Sequence, residues 1–588
     1  MRLTNVAHLR LPFGRLFGYD VVVSEPGRSL PVSFDQRRHV GAGDREGSWM
    51  ALSFRLPDPI SREALAAAWL AVVSRHGTLR SEFLPGADGV PQLREIDVSE
   101  GEWVEHAVAP GQAVNDALRE VLDRACSPYS RPSHRLCVLE TAAGPTLIVA
   151  ADHSHLDMWS LLVIMRDFLA ALGASRNGSS PSLPPAPAFA AHTQALLDRP
   201  AAPDEIRRRW DEVLTASGGV MPRFPLPLGP AAPQPERVEV RDVFDVDDSV
   251  AFSAQARQDG VSTLALAVSA MTAVTQELAG SALRAVFPVH SRYDATWHDS
   301  VGWFITNSVL ESSDTDPRAG AAAVKEAIRM GSWPLNDVLS QWGGMPEAPG
   351  MFAISWLDLR RLPVRVDSAG LEAQYVSASI RTDGVMLWFI LDDSGLHLRC
   401  RYPDTAEARR HVGAWLDLLV ARLKEAARLS VRSVLRTPDR AYQLHRAARA
   451  DIPEIVALLS DDEIGGAREA AEIARYEAAF DVLTLDRSQH LAVARDDDNR
   501  IVGTMQLTVI PGLSRGGATR LQIEGLRVAA DERSRGLGTA MLEWAHEYGR
   551  ARGAMLAQVT TDEARERARE FYTRLGYETK HVGLKRPL

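Results

Sequence analysis

Apolar residues recur along the first 430 positions with two spacings, one typical of helices and one typical of strands. Residues 61–75 repeat apolar side chains at helical spacing behind Ser61, which predicts a helix that begins there. Residues 387–391 and 396–402 alternate in polarity on either side of a short turn, which predicts an antiparallel hairpin. Further strands are predicted at 49–56 and 236–246, and further helices at 205–214, 261–278 and 406–429.

The last quarter of the chain has a different, mixed pattern. Residues 444–459 pass from a strand-like stretch into a helical one, and Asp451 stands where a helix N-cap is favoured. Residues 491–495 and 501–509 predict paired strands around a turn, and 521–528 predicts another strand. A glycine-rich turn and a helix follow, so we predict a separate domain here.

Composition narrows the class of protein. The chain has 588 residues, 45% hydrophobic and 24% charged, as expected for several globular domains. A net charge of -10 without a long basic block disfavours nucleic-acid binding. Three scattered cysteines, Cys126, Cys137 and Cys400, fit a reducing cytoplasm better than a disulfide framework or a zinc site. We expect no signal peptide and no membrane-spanning stretch.

One stretch concentrates ionisable side chains at the end of an apolar run. Residues 146–151 predict a buried strand, and His153, His155 and Asp157 follow it at alternate positions. On an extended chain the three would share one face and suit a metal, but Met158 stands where the metal-hydrolase motif needs a further histidine. His153 without a metal would suit a general base, and a structural histidine at a strand end is the third interpretation.

Residues about 30–430 resemble the condensation-type HxxxD acyltransferases, which include the condensation domains of nonribosomal peptide synthesis and the polyketide-associated acyltransferases. Five short motifs occur in the family's order, at residues 33–38, 75–83, 153–157, 288–292 and 301–304. The resemblance implies an α/β (α+β) fold of two chloramphenicol-acetyltransferase-like lobes. These lobes form a pseudo-dimer with a central tunnel, in which donor and acceptor meet at the histidine.

The resemblance also implies roles for the residues of the third motif. His153 is the candidate general base toward an amine or hydroxyl that attacks a thioester, or it positions that nucleophile and stabilises the tetrahedral intermediate. Asp157 is expected to pair with Arg292 and hold the loop, because a buried carboxylate needs such a partner. His155 has no role in the family and is expected to pack, and no metal is expected.

The chain departs from the family's pattern in three places. Asp152 replaces the first histidine of the motif, and Met158 replaces the glycine after the aspartate. The bulk of Met158 is expected to reshape the tunnel near His153. The pair Thr306–Asn307 has the reverse of the family's order. These departures fit an unusual substrate.

Residues about 442–588 resemble the GNAT-family N-acetyltransferases. Residues 533–538 match the family's Arg/Gln-x-x-Gly-x-Gly/Ala motif, and 523–528 and 571–577 match its splayed strand and its terminal Phe-Tyr motif. Glycines let the backbone approach the pyrophosphate of CoA, and the next helix offers free N–H groups. The resemblance implies that acetyl-CoA contacts Leu526, Val528, Arg533, Arg535, Gly536, Leu537, Gly538 and Thr539.

The GNAT resemblance supplies two candidate catalytic residues. Tyr572 is the candidate general acid that protonates the leaving CoA thiolate. Glu524 is the candidate base that takes a proton from the substrate amine through a water molecule. Arg565 stands where many relatives carry an asparagine that contacts CoA.

The sequence thus predicts a cytoplasmic, bifunctional acyltransferase of specialised metabolism. The predicted domains are an N-lobe, 1–180, a C-lobe, 181–432, a linker, 433–441, and a GNAT domain, 442–588. The first site would use an acyl thioester on a carrier protein or on CoA, and the second would use acetyl-CoA. The expected partners are a small-molecule amine or hydroxyl acceptor and an acyl or peptidyl carrier protein, without nucleic acid or membrane.

A second hypothesis makes the N-terminal half a docking module without catalysis. It would bind a carrier protein or substrate and present the substrate to the acetyltransferase.

Overall fold

The structure is a computed structural model that describes residues 2–87, 89–141, 144–176, 182–428, 434–461, 466, 472–486, 488–580 and 586. The chain divides into two compact units. The first unit is Met1–Ser249 with Asp259–Leu423, and the second is Val250–Gln258 with Lys424–Leu588. The predicted boundaries at 180/181 and 432/433 lie outside the described residues.

The first sheet of the first unit has seven strands. Their order is Arg2–Asn5, Gln374–Ser377, Trp49–Arg55, Thr146–Asp152, His134–Glu140, Arg15–Val23 and Val98–His106. Every neighbouring pair is antiparallel except the first, which is parallel. Gln374–Ser377 comes from the predicted C-lobe, so the segment 181–432 contributes one strand to the sheet of the predicted N-lobe.

Helices cover both faces of this sheet. Arg62–Arg75 and Met158–Arg176 pack into one apolar cluster with it, and Val114–Ala125 packs on the other face. The strand Thr146–Asp152 is buried at all seven positions, which explains its continuous apolar sequence.

The expectation of no membrane-spanning stretch needs a correction. Residues Met158–Ser175 are long and apolar enough to qualify by length and composition, with a mean hydropathy of 1.4. In the structure 61% of this window is buried, because the helix belongs to the apolar cluster beneath the first sheet.

The second sheet of the first unit also has seven strands. Their order is Ile305–Ser312, Leu283–His290, Phe352–Asp358, Val385–Asp392, Gly395–Pro403, Gln234–Phe244 and Arg381–Thr382. The predicted hairpin is confirmed, since Val385–Asp392 pairs antiparallel with Gly395–Pro403. The predicted helix at 261–278 is Thr263–Ala279, and Gly280 closes it in the left-handed conformation.

Shorter elements complete this part of the chain. A three-stranded sheet has the order Ser29–Leu30, Gln92–Glu95 and Ser81–Leu84. The remaining helices of residues 2–428 are Phe34–Gly41, Phe189–Leu197, Asp204–Ala216, Val246–Gln258, Pro317–Gly331, Leu335–Val338 and Ala406–Arg428, of which Val250–Gln258 and the residues from Lys424 belong to the second unit. Single 3-10 turns lie at Val6–His8, Gly77–Arg80, His153–His155, Ala295–Trp297, Ser340–Trp342 and Leu359–Arg361.

The second unit contains a six-stranded sheet. Its order is Val434–Arg436, Ala441–Arg446, Gln489–Arg495, Ile501–Ile510, Thr519–Val528 and Ala554–Val559. Only the last pair is parallel. The helices here are Ile452–Leu459, Ile473–Leu485, Ser514–Gly517, Leu537–Ala551 and Glu566–Arg574.

Part of the predicted linker at 433–441 lies in this sheet, since Val434–Arg436 and Ala441 are strand residues. Val434–Arg436 pairs antiparallel with Ala441–Arg446, and Leu435 and Tyr442 are buried in the apolar core. These residues therefore belong to the folded second unit.

Candidate active sites

His153 lies where the buried strand Thr146–Asp152 ends. Its backbone N–H donates to the carbonyl of Ser48 at 3.0 Å, which fixes the start of the 3-10 turn. Its Nδ1 lies 3.0 Å from the carbonyl oxygen of Leu156. Because a carbonyl only accepts, Nδ1 carries the proton, and Nε2 of the neutral ring keeps a free lone pair.

The surroundings of His153 favour its neutral form. Burial lowers its pKa below the ordinary 6.5. The indole of Trp303 stacks on the imidazole, with ring centroids 4.4 Å apart. A neutral imidazole with a free Nε2 can accept a proton from an attacking nucleophile at neutral pH.

Asp152 replaces the family's first histidine. Its ionised carboxylate holds the 3-10 turn His153–His155 by hydrogen bonds. Its carboxylate accepts from His39 Nε2 at 3.2 Å, from the Ser154 N–H at 2.9 Å and from the Ser48 hydroxyl. Burial acts to raise its pKa, but these hydrogen bonds outweigh burial and hold the pKa well below its usual range. Arg45 donates to His39 Nδ1 at 2.9 Å, so His39 presents an Nε2–H to Asp152.

Asp157 and Arg292 form a buried ion pair. Arg292 donates to both carboxylate oxygens of Asp157, at 2.7 and 3.2 Å. The backbone N–H groups of Ser160 and Phe304 donate to the same carboxylate at 2.7 and 3.1 Å. Burial acts to raise the pKa of Asp157, but Arg292 and these donors lower it. The pairing expected from the sequence is present, and it joins the His153 loop to the strand region at Phe304.

His153, His155 and Asp157, the three side chains of the metal interpretation, do not point to one common position. His155 points to the Ser154 hydroxyl at 3.0 Å and packs its ring edge against Phe83, while Asp157 is bound to Arg292. The described part of the chain contains no group of three or more histidine, cysteine or carboxylate side chains placed for a metal ion. The packing role expected for His155 is what the structure has.

The other departures from the family's pattern, Met158 and the pair Thr306–Asn307, also lie in the first unit. The Met158 side chain is partly buried against the apolar cluster, and its carbonyl accepts from the Tyr375 hydroxyl at 2.8 Å. The Asn307 amide donates to the buried Asp35 at 3.3 Å. Asn307 therefore connects its strand to the helix of the first motif, Phe34–Gly41.

In the second unit the two C-terminal strands separate where the GNAT resemblance places the splayed strand. Thr519–Val528 and Ala554–Val559 pair from Thr519 to Ile523, and no pairing with Ala554–Val559 is found beyond Ile523 in the described strands. Leu526 and Val528 lie on this separated part. The Val528 carbonyl accepts from Arg533 Nε at 3.0 Å, and its second lone pair can still accept another donor.

The loop before the helix Leu537–Ala551 fits a pyrophosphate. Ser534 and Gly536 have φ values of 64° and 88°, and Gly536 is the N-cap residue of the helix. The first-turn N–H groups of Leu537, Gly538 and Thr539 have no partner inside the helix and carry its positive dipole end. The Arg535 side chain is 45% exposed. Free amides and an exposed cation are the donor set that a diphosphate needs.

Tyr572 and Glu524 are placed very differently within the second unit. Tyr572 lies on the helix Glu566–Arg574, and burial raises the pKa of its phenol, against the lowering effect of Arg527 and Arg565. The phenol therefore keeps its proton at neutral pH, as a general acid must. Glu524 is exposed on its strand, beside the left-handed Gly525.

Sequence reasoning missed His39, Arg45 and Ser48. They lie far from Asp152 along the chain, and no spacing pattern connects them. The one signal in the sequence was Asp152 itself, since an aspartate at the end of a buried strand requires donors from elsewhere.

Comparisons with known proteins agree with both motif sets. Residues 31–329 match the condensation domain family, and residues 452–577 match the acetyltransferase (GNAT) family. PapA3, an acyltransferase of Mycobacterium tuberculosis, is 23% identical over 423 residues, which are 67% of this chain and 88% of PapA3. CymA of Salinispora arenicola, described as a probable non-canonical nonribosomal peptide synthetase, is 30% identical over 308 residues, and the match spans 49% of this chain and only 4% of CymA.

Solved structures show the same fold. PapA2 acyl transferase superposes with a TM-score of 0.64 at 19% identity, covering 73% of this chain and all of PapA2. The first condensation domain of the CDA synthetase superposes with a TM-score of 0.56 at 15% identity, covering 69% of this chain and 97% of that domain. The fold class predicted from the sequence is confirmed.

The protein is an acyltransferase, as its fold, the order of its motifs and these matches show. The chain belongs to the condensation domain family, and its C-terminal part carries a GNAT acetyltransferase domain.

Proposed function

We propose that this acyltransferase carries out two reactions of specialised metabolism. The first unit transfers an acyl or aminoacyl group from a thioester, on a carrier protein or on CoA, to an amine or hydroxyl. The second unit transfers an acetyl group from acetyl-CoA to an amine. The observation that carries the first reaction is the neutral His153, with its Nδ1 proton held by Leu156 and its Nε2 free.

In the first reaction His153 Nε2 accepts the proton of the nucleophile while the nucleophile attacks the thioester carbonyl carbon. The new C–N or C–O bond forms, the C–S bond breaks, and the proton passes from Nε2 to the leaving thiolate. Asp152 and the Asp157–Arg292 ion pair touch no reacting atom. They hold the turn, and so they keep Nε2 in position.

In the second reaction acetyl-CoA supplies an activated acetyl group. The separated strand at Leu526 and Val528 would hold its pantetheine arm, and the Gly536 loop would hold its pyrophosphate. Glu524 would take a proton from the amine through water. Tyr572, whose phenol stays protonated, would deliver a proton to the CoA sulfur.

The partners follow from these chemistries. We propose a small-molecule amine or hydroxyl as acceptor and a carrier protein as one source of the thioester, in a cytoplasmic setting. Carrier proteins work with the condensation domains of nonribosomal peptide synthetases, the class to which CymA belongs. One scaffold would receive both groups.

The test uses the full chain and mass spectrometry of its products. Acetyl-CoA, acyl-CoA and acylated carrier protein are each offered with a panel of amines. We expect two products of different mass, of which His153→Ala removes the acyl product and Tyr572→Phe reduces the acetyl product. Loss of the same single product in both variants would refute two separate reactions. Full acyl turnover by His153→Ala would support the docking-module hypothesis instead.

A further inference from the structure

Two arginines lie buried side by side on one face of the second sheet of the first unit. Arg399 and Arg401 are on the strand Gly395–Pro403; Arg399 is 3% exposed, and the side chain of Arg401 is 14% exposed. Both guanidinium groups lie over the ring of Trp388, with Cζ 4.8 and 5.2 Å from its centroid. Arginine is almost never buried in this way unless it is paired. The two side chains therefore need a counter-charge.

The described part of the chain offers these two cations few acceptors. Arg399 donates to the Ser377 hydroxyl at 2.8 Å and forms no ion pair with a described carboxylate. Arg401 donates to the thioether sulfur of Met386 at 2.8 Å, and its nearest carboxylate oxygen, in Glu236, is 3.9 Å away. A thioether is a weak acceptor, whereas a guanidinium presents a fork of several N–H donors. Buried donors are nearly always paired, so a strong acceptor is missing beside this pair.

The electric charge of the cluster is also unbalanced. Arg399 and Arg401 carry two positive charges, and Glu236 carries the one negative charge that acts on both among the described residues. Cys400 between them stays a neutral thiol, because burial raises its pKa. Burial and the neighbouring Arg401 lower the pKa of Arg399 to about 10, which leaves it protonated at neutral pH. One positive charge is thus buried without a partner, which is costly unless an anion compensates it.

Solvent reaches this face of the sheet beside Arg399. Val240 lies directly opposite Arg399 on the neighbouring strand Gln234–Phe244 and is 46% exposed. Residues opposite each other on paired strands have their side chains on the same face, so the exposed surface of Val240 is on the side that carries both arginines. A small group can therefore approach from solvent over Val240 and contact Arg401, the more exposed of the two cations.

We propose that Arg399 and Arg401 bind an oxyanion, which is a carboxylate, sulfate or phosphate group. The guanidinium fork matches these groups because it donates parallel hydrogen bonds to two oxygens at once. A bound oxyanion would balance the charge of the cluster and would replace the weak thioether acceptor of Arg401.

The position of the site relates it to the reaction at His153, a step that rests on the function proposed above. Ser377, which accepts from Arg399, lies opposite Met50, and Met50 lies opposite Ala151. Ala151 precedes His153 by two residues. Paired strands are about 4.8 Å apart, so Ser377 lies about 10 Å across the sheet from Ala151. The oxyanion is therefore the charged end of a substrate of the first unit, and the arginine pair determines specificity for it.

Calorimetric titration of the full chain with inorganic phosphate and with acetate, at constant ionic strength, tests the proposal. We expect saturable binding of at least one of these anions, and Arg399→Met should weaken it about tenfold or more, the effect of losing a charge-assisted hydrogen bond. Glu236→Gln removes the competing carboxylate and should tighten binding about threefold or more. Saturable binding of neither anion overturns the proposal. Binding that Arg399→Met leaves unchanged, or that Glu236→Gln fails to tighten, overturns it as well.

Thermal unfolding shows whether Arg399→Met is folded and separates anion binding from a structural role. An apolar side chain of similar size in place of an unbalanced buried charge should leave the unfolding temperature unchanged or raise it in anion-free buffer. Phosphate or acetate, whichever binds, should then raise the unfolding temperature of the unmodified chain more than that of the variant. A variant that unfolds at a clearly lower temperature without anion would mean that the protein already compensates the charge, which overturns the proposal.

Two control variants locate the effect. Arg284→Met removes an arginine of the same sheet whose guanidinium donates to Glu311 at 2.6 Å, so it should lower stability and leave anion binding unchanged. Arg535→Met removes the exposed cation of the Gly536 loop, where inorganic phosphate can also bind. Loss of anion binding in Arg535→Met, with full binding in Arg399→Met, overturns the assignment to the buried pair.

Acyl transfer is assayed separately, so that the two proposals can fail independently. The anion that binds should compete with the substrate of the His153-dependent reaction, with an inhibition constant equal to its dissociation constant, and Arg399→Met should remove this inhibition. Anion binding without inhibition overturns the substrate role of the site while acyl transfer stands. Anion binding that is lost in Arg399→Met, in a protein that makes no acyl product, supports the oxyanion site and refutes the function proposed for His153.

Discussion

The two candidate sites differ in how much of their chemistry is already in place. At His153 the charged neighbours are buried and paired, from Asp152 with His39 to Asp157 with Arg292. At the GNAT site Glu524 is exposed, and the Gly536 loop offers free amides to solvent. The first site is organised by the protein, and the second needs its bound substrates to complete it. Substitutions should therefore disturb folding at the first site and mainly activity at the second.

The largest effect on folding is expected from Arg292→Ala. It leaves the Asp157 carboxylate buried without its partner, which should lower the free energy of unfolding by about 3–5 kcal/mol. Urea unfolding of the full chain measures this change. The control is Arg329→Ala, which breaks ion pairs of a 39% exposed arginine and should cost at most about 1 kcal/mol. Equal losses in the two variants would show that the buried pair is no more important than a surface one.

A smaller loss in the free energy of unfolding is expected from Asp152→Asn. The substitution keeps the shape of the side chain and removes the charge that four donors share, so we expect a loss of about 2–3 kcal/mol at pH 7. Because the folded-state pKa of Asp152 is lowered, its contribution is complete above the unfolded value of about 3.9 and disappears as pH falls through the folded value. Unfolding of both proteins between pH 3 and 8 tests this. A difference that grows toward low pH would contradict it.

The pH dependence of the two reactions offers a third comparison. The lowered pKa of His153 places the acidic limb of acyl transfer below pH 6.5, since the base must be neutral. The raised pKa of Tyr572 places the alkaline limb of acetyl transfer above pH 10. Profiles of kcat/KM against pH for each product measure both limbs. An acyl-transfer midpoint above 6.5 would mean that His153 is not the buried neutral base described here.

The smallest effect on folding is expected at the GNAT site, where Glu524 is exposed. Glu524→Gln changes an exposed side chain and should alter the free energy of unfolding by less than about 0.5 kcal/mol. Acetyl transfer should nevertheless fall about 10²-fold or more if Glu524 is the base. Thermal unfolding and acetyl-product formation are measured on the same preparation. Unchanged acetylation would assign the base elsewhere.

The sequence predicted those features that follow from contiguous motifs. His153 with Asp157 lies in a single stretch of five residues, and the Arg533–Gly538 loop is equally local, so the order of residues is enough to identify both. The contacts of His39 and Arg45 beneath the His153 turn could not be predicted, because they join the helix Phe34–Gly41 and the loop after it to Asp152, about a hundred residues further along the chain. The exchange of Gln374–Ser377 into the first sheet was missed for the same reason.

That exchanged strand has a consequence for the order in which the protein can fold. In the described pairings Arg2–Asn5 lies at the edge of the first sheet and bonds only to Gln374–Ser377. This segment must therefore wait for a partner that lies about 370 residues further along the chain, and the loop that closes is long. The N-lobe therefore cannot complete its folding before the rest of the first unit is present. Fragments that stop before Gln374 should expose Trp49–Arg55 as a sheet edge and aggregate.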